Sequence, residues 1–482
     1  MFHKNNNSVV SATKWSALTE FAARLIGPVS TMALARILTP EAFGVLVTAQ
    51  MVISFAEIFT DAGFQKYIIQ HTFKDDDALY KSTAVAFWSN LFFSIIVWAI
   101  ICLFSTQLAH FVGNDGYGIV IAVSCICIPL TAFSSIQMAL FKRKLDFKTL
   151  FLVRIIGIII PLLVTIPLAL FTRSYWSLII GMIALNLSNA IVLTWKSPWK
   201  PKWFYDVNQF KEMFSFTMWS MIEAISIWLT GYLDIFIIGT VLDTYYMGVY
   251  RTAITTVGQI MGIITAATTP VLFSALSRLQ DDDKEFKRLF FKFQKMVGIL
   301  VIPLGVGIYI FRGLITNVIL GNQWKEASYL IGWWGLTSAI TIVLSHYCSE
   351  VFRAKGKPKY SVIAQLLHIC FLVPTVLWSV SYGFESLCLW RSLVRFTAIG
   401  INLSLVYKLI RITPTKMIAN IFHVCIAAAI MSLTGLLSSN TNSILLQLIW
   451  VIICTIEYLV IICFFQQERE ILLSLKSIIM RK

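Results

Sequence analysis

Leu38-Thr39-Pro40-Glu41-Ala42-Phe43-Gly44-Val45 has a counterpart in Leu242-Asp243-Thr244-Tyr245-Tyr246-Met247-Gly248-Val249, and the matches ordered around these two octets decide the fold. Lys74-Asp75-Asp76-Asp77 returns as Gln280-Asp281-Asp282-Asp283, and Gly113-Asn114 returns as Gly321-Asn322. Phe141-Lys142-Arg143-Lys144 returns as Phe352-Arg353-Ala354-Lys355, and Trp176-Ser177-Leu178 as Glu385-Ser386-Leu387. Each match is trivial alone. Their common order and nearly constant offset mark an internal duplication.

The duplicated blocks are strongly apolar. Of 482 residues 58% are hydrophobic and 13% charged, with a mean hydropathy of +0.78, which excludes a soluble enzyme. Apolar runs of the length that crosses ~30 Å of hydrocarbon as a helix fall near 15–35, 43–64, 83–106, 117–140, 149–171, 175–195, 211–241, 246–276, 289–311, 327–351, 360–380, 384–407, 417–438 and 444–465. The expected architecture is all-α: about 14 transmembrane helices as two six-helix lobes, plus a C-terminal hairpin. The N-lobe takes 1–196, an interfacial linker 197–210, the C-lobe 211–411, and the last two spans with the tail 412–482. Six spans return the chain to its starting side, so the lobes form a parallel repeat with a cavity between them.

The net charge of +15 does not point to nucleic acid, because the basic residues are scattered through short loops. Thirty of the 39 Lys and Arg fall in loops and tails on one side and four on the other. The positive-inside rule then makes both termini cytoplasmic. The N-terminus lacks an h-region with a small-residue cleavage site, so the first span is expected to be retained. All nine cysteines lie in apolar segments, and disulfides are not expected.

Charge inside the spans is costly, so such residues face a cavity or a partner. Glu20 and Arg24 on span 1 and Glu57 and Asp61 on span 2 are each four apart, and equal depth around the intervening turn predicts one level ring. Asp234 and Arg251 sit at equal depth in the second hairpin, Glu223 lies deeper, and Arg391 and Arg395 are four apart in span 12. Two readings stand for these groups: ion pairs bracing neighbouring helices, or contacts to a substrate or ion. No nucleophile, P-loop or metal-ligand pattern emerges, so no enzyme and no resident cofactor are expected. Proton or sodium coupling through Glu57, Asp61 or Asp234 stays open.

Further residues carry a resemblance. Leu34-Ala35-Arg36-Ile37-Leu38 with Phe43-Gly44, Asp61-Ala62-Gly63-Phe64, Asp234-Ile235-Phe236-Ile237-Ile238-Gly239, Gly321-Asn322-Gln323-Trp324 and Ala354-Lys355-Gly356-Lys357-Pro358 resemble the bacterial polysaccharide transporter family, closest to the colanic-acid-exporter type of oligosaccharide flippase. The resemblance implies the fold of the multidrug/oligosaccharidyl-lipid/polysaccharide exporter superfamily, with spans 1, 2, 7 and 8 around a central cavity. It implies export of undecaprenyl-diphosphate-linked oligosaccharide across the bacterial inner membrane for O-antigen, capsule or exopolysaccharide synthesis, alongside a polysaccharide polymerase and a chain-length regulator. In the related lipid II flippases, cavity arginines on spans 1, 2 and 8 hold the diphosphate. Arg24 and Arg251 match by position, whereas span 2 carries Glu57 and Asp61. The rival readings are a drug/cation antiporter of the same superfamily and a membrane-embedded polymerase.

Overall fold

The structure, a computed structural model, describes residue 15 and residues 26–60, 63–357, 359–437 and 443–480, without the side chains of 215–220, 222, 223 and 474–480. Among these residues all regular structure is helical. Among the described residues twelve helices are long and apolar enough to cross a membrane, and two shorter apolar helices fill the remaining predicted positions. In chain order they are α1 (Ile26–Ile37), α2 (Pro40–Thr60), α3 (Asp76–Leu103), α4 (Gly118–Arg143), α5 (Phe147–Thr172), α6 (Trp176–Lys196) and α7 (Ala224–Val241). Then follow α8 (Thr244–Ser277), α9 (Asp283–Ile310), α10 (Ala327–Ala354), α11 (Lys359–Val380), α12 (Phe384–Ile410), α13 (Phe422–Leu437) and α14 (Ile444–Cys463). The helix of α7 begins earlier, at Val207.

The duplicated motifs acquire physical reasons. The acidic runs start helices: the Asp75 carboxylate accepts from the Ala78 N–H at 2.7 Å, and that of Asp282 from the Lys284 and Glu285 N–H groups. Both satisfy amides that have no partner in a first helical turn. Gly113 and Gly321 have φ of 74° and 102°, conformations that a Cβ disfavours. The basic run at the end of α4 grips the loop before α3, where Arg143 donates to the carbonyls of Ile68 and His71 at 2.9 and 2.7 Å. Lys355 does the same after α10, bonding Gln280 O and the Asp283 carboxylate.

The chain packs as two compact units, Met1–Arg251 and Thr252–Lys482. In the first, Val85, Phe87, Ile136, Leu140, Trp199 and Met213 form one buried cluster. Linker residues hold to it: Phe204 packs against the cluster, the exposed Trp203 stacks on Trp88 at 4.2 Å, and Trp88 donates its indole N–H to Lys202 O. Tyr67, on the short helix Phe64–Gln70, donates to the Glu212 carboxylate at 3.0 Å. Burial pushes its hydroxyl pKa up, and the carboxylate adds to the effect. Tyr67 therefore stays protonated and remains a donor at neutral pH.

In the second unit α9 packs on α10 and α13. The C-terminal helix Gln466–Met480 is tied to α9 by Glu468, whose 1% exposed side chain lies 3.3 Å from the Lys295 ammonium. All nine cysteines are free.

Candidate functional site

The two octets that open the duplication touch each other. A Cβ on Gly44 would overlap the carbonyl oxygen of Thr244, and one on Gly248 would overlap that of Pro40. Pro40 and Gly44 correspond in the repeat to Thr244 and Gly248, so the contact is reciprocal. The first turns of α2 and α8 cross backbone against backbone, which requires glycine at both positions. Gly113 is equally close to Gly239 O at the end of α7.

A buried polar knot closes over this crossing. Asn114, 2% exposed, donates its amide to Thr48 Oγ1 on α2 and accepts from Thr244 Oγ1 on α8. Met247 Sδ lies 3.8 Å from Thr48 Oγ1. One side chain from the loop between α3 and α4 thus bridges α2 and α8. The sealed end is the lysine-poor one.

Gly44, Thr48, Met51, Phe55 and Phe59 recur at three- and four-residue spacing and make one stripe along α2. At the sealed end the stripe is covered, with Thr48 and Met51 buried. Further along it opens, and Phe55 and Phe59 are 41% and 44% exposed. Facing it on α7, Trp228 donates its indole N–H to Ser54 Oγ at 3.1 Å and packs on Phe55 with ring centroids 4.8 Å apart. Trp228 stacks on Tyr232 at 5.7 Å, and the Arg251 guanidinium lies 5.3 Å from the Tyr232 ring centroid.

Arg24 and Asp61, with Glu20, lie outside the described residues. Of the predicted ring only Glu57 is placed, half-buried on α2. Asp234 is buried and accepts from the Tyr250 hydroxyl at 2.6 Å. Arg251 forms no ion pair among the described residues, so its equal depth with Asp234 does not amount to a salt bridge. Arg391 and Arg395 both lie over the Trp334 ring, 5.0 and 4.2 Å from its centroid, and Arg395 donates to Ser338 Oγ at 2.7 Å. These contacts fasten α12 to α10 inside the second unit. Sequence reasoning missed Thr48, Asn114, Trp228 and Tyr232, although Asn114 already stood beside a repeated glycine.

Comparison with known proteins agrees with this geometry. Residues 33–329 match the family described as Polysaccharide biosynthesis protein. A membrane protein of the cps region of Klebsiella pneumoniae is 22% identical over 78% of this chain and 77% of its own length. The lipopolysaccharide biosynthesis protein WzxC of Escherichia coli K12 is 22% identical over 66% of this chain and 64% of its own. Among solved structures, the lipid II flippase MurJ in an inward closed conformation superposes with a TM-score of 0.77 at 14% identity, covering 95% of this chain and 99% of that one. The chain belongs to the polysaccharide biosynthesis protein family and is a polytopic helical membrane protein with the fold seen in that flippase.

Proposed function

We propose that the protein translocates undecaprenyl-diphosphate-linked oligosaccharide repeat units from the cytoplasmic to the periplasmic leaflet of the bacterial plasma membrane, with both termini cytoplasmic. The observation that carries the reading is Arg251: a guanidinium within the span, stacked on Tyr232 and without an ion pair among the described residues. A cation held there at the cost of desolvation suits a transient anionic partner, and a diphosphate offers charge-assisted hydrogen bonds to it. The relatives' names, which refer to capsule-region, lipopolysaccharide and lipid II proteins, support the same class of cargo.

The polyprenyl tail needs a purely apolar path. In the second unit a groove of about 500 Å³ runs between α9, the short helix Arg312–Ile319 and α14, lined by residues such as Leu300, Leu304, Val318, Leu448, Val451 and Leu459. Leu300, Leu448 and Leu459 are 41–47% exposed, so the groove is open to lipid. It accounts for the extra hairpin that the duplication leaves over.

Transport then proceeds by alternating access: the α2–α8 crossing is the outer seal, closed here, and it parts to release the headgroup. Arg24 is the second diphosphate contact by resemblance, with Glu57 or Asp61 holding it when no cargo is bound. Such competition biases the equilibrium between the two access states, because cargo can shift it only by its differential affinity for them. A polymerase and a chain-length regulator are the expected downstream partners.

Deleting the gene is expected to abolish the surface polysaccharide and to accumulate lipid-linked repeat units, measured by mass spectrometry of extracted carrier lipids. An unchanged carrier pool with altered drug susceptibility contradicts the reading and favours the antiporter.

A further inference from the structure

Four aromatic rings and one guanidinium form a continuous column on the first unit. Phe59 meets Phe55 at 5.2 Å, Phe55 meets Trp228 at 4.8 Å, Trp228 meets Tyr232 at 5.7 Å, and Arg251 covers Tyr232 at 5.3 Å. We propose that Phe59, Phe55, Trp228 and Tyr232 are a stacking rail for the sugar rings of the cargo, leading the headgroup toward Arg251. The proposal rests on the reading that the cargo is a lipid-linked oligosaccharide, and it assigns the residues that touch its sugars.

Depth and chemistry separate this column from an ordinary lipid-facing surface. Trp and Tyr facing lipid gather at the two membrane interfaces. At 1.5 Å per helical residue, Tyr232 lies roughly 14 Å from the end of α7 at Val241, and Arg251 roughly 10 Å from the start of α8 at Thr244. An arginine at that depth faces a polar path rather than acyl chains. The stripe of α2 that bears Phe55 and Phe59 also bears Gly44 and Thr48, the residues of the outer seal. The rings therefore line the same face that the seal closes.

The rail suits sugars for a physical reason. A pyranose presents a face of C–H groups whose partial positive charge meets the negative face of an aromatic ring. Each ring-to-ring step is comparable to the advance of one sugar along an oligosaccharide. Stacking discriminates little between sugars and is weak at any one ring, so the headgroup can leave each contact for the next, as a conduction path with several weak sites requires. Ser54 holds the Trp228 indole by its N–H, which fixes the ring's plane, and the rings most open for a sugar to meet are Phe55 and Phe59.

The test uses the full chain in nanodiscs with two probes: undecaprenyl diphosphate without sugar, and lipid-linked oligosaccharide extracted from a strain lacking the gene. Trp228→Leu is expected to weaken binding of the glycosylated carrier by about five- to tenfold and to leave the sugar-free carrier unchanged. Trp228→Phe, which keeps a π-face, is expected to retain most of the affinity. Arg251→Ala is expected to weaken both probes. If the wild type prefers the glycosylated carrier and Trp228→Leu binds both probes as the wild type does, or loses both equally, the rail is wrong and the function stands. If the wild type binds neither probe, the reading beneath the rail fails and takes it down too.

Discussion

Gly248→Leu and Gly44→Leu are each expected to abolish export while leaving the chain folded and inserted. A Cβ at either position overlaps a backbone carbonyl of the opposite helix, Pro40 O or Thr244 O, and backbone cannot rotate aside as a flexible side chain can. The outer seal then fails to close, and the state that accepts cargo from the inner leaflet loses its population. Reversing a 99:1 preference takes differential binding of about 10⁴-fold, which leaves little room for cargo to restore the closed state. Surface polysaccharide in a complemented deletion strain measures the loss. Labelling of Thr48→Cys by a membrane-impermeant thiol reagent, raised in the leucine background, shows that the seal has opened. Gly313→Ala, where a Cβ meets nothing within 4 Å, is the control and is expected to export normally. Full export by both leucine variants contradicts the role of the crossing.

The second large effect is the opposite manipulation. Thr48→Cys combined with Met247→Cys puts thiols on two side chains that now touch, Thr48 Oγ1 lying 3.8 Å from Met247 Sδ, with the new sulfur at 247 one bond closer to its own backbone. A short bifunctional thiol reagent is expected to join them, to stop export, and to be fully reversed by reductant. Before cross-linking the double variant is expected to export, because it loses the Asn114 bond to Thr48 but keeps the Asn114 hydrogen bond with Thr244 and the glycine contacts. Undiminished export after complete cross-linking contradicts a seal that must part on every cycle.

Much of this architecture was legible in the sequence because its determinants are local or periodic. Apolar runs of spanning length located the helices, and an acidic run before an apolar run reads as a helix start, as Asp75 and Asp282 confirm by capping. The Gly113 and Gly321 matches reflected one backbone requirement met twice. The function of Gly44 and Gly248 was not legible, because a repeat identifies corresponding positions without saying that they touch. Azimuth was not recoverable from spacing around a turn: Asp234 turns to Tyr250 and Arg251 to Tyr232. Trp228 and Tyr232 looked like ordinary apolar residues of a span until Phe55, distant in sequence, was set beside them.

This chain alone is expected to carry a lipid-linked sugar headgroup across a bilayer. Purified protein reconstituted into liposomes, with lipid-linked oligosaccharide confined to the inner leaflet, tests it through the appearance of sugar accessible to an added glycosidase. Rapid appearance is expected with the wild type, none with protein-free liposomes, and none with the Thr48→Cys, Met247→Cys chain once cross-linked. Appearance at the protein-free rate with folded wild-type protein would contradict it.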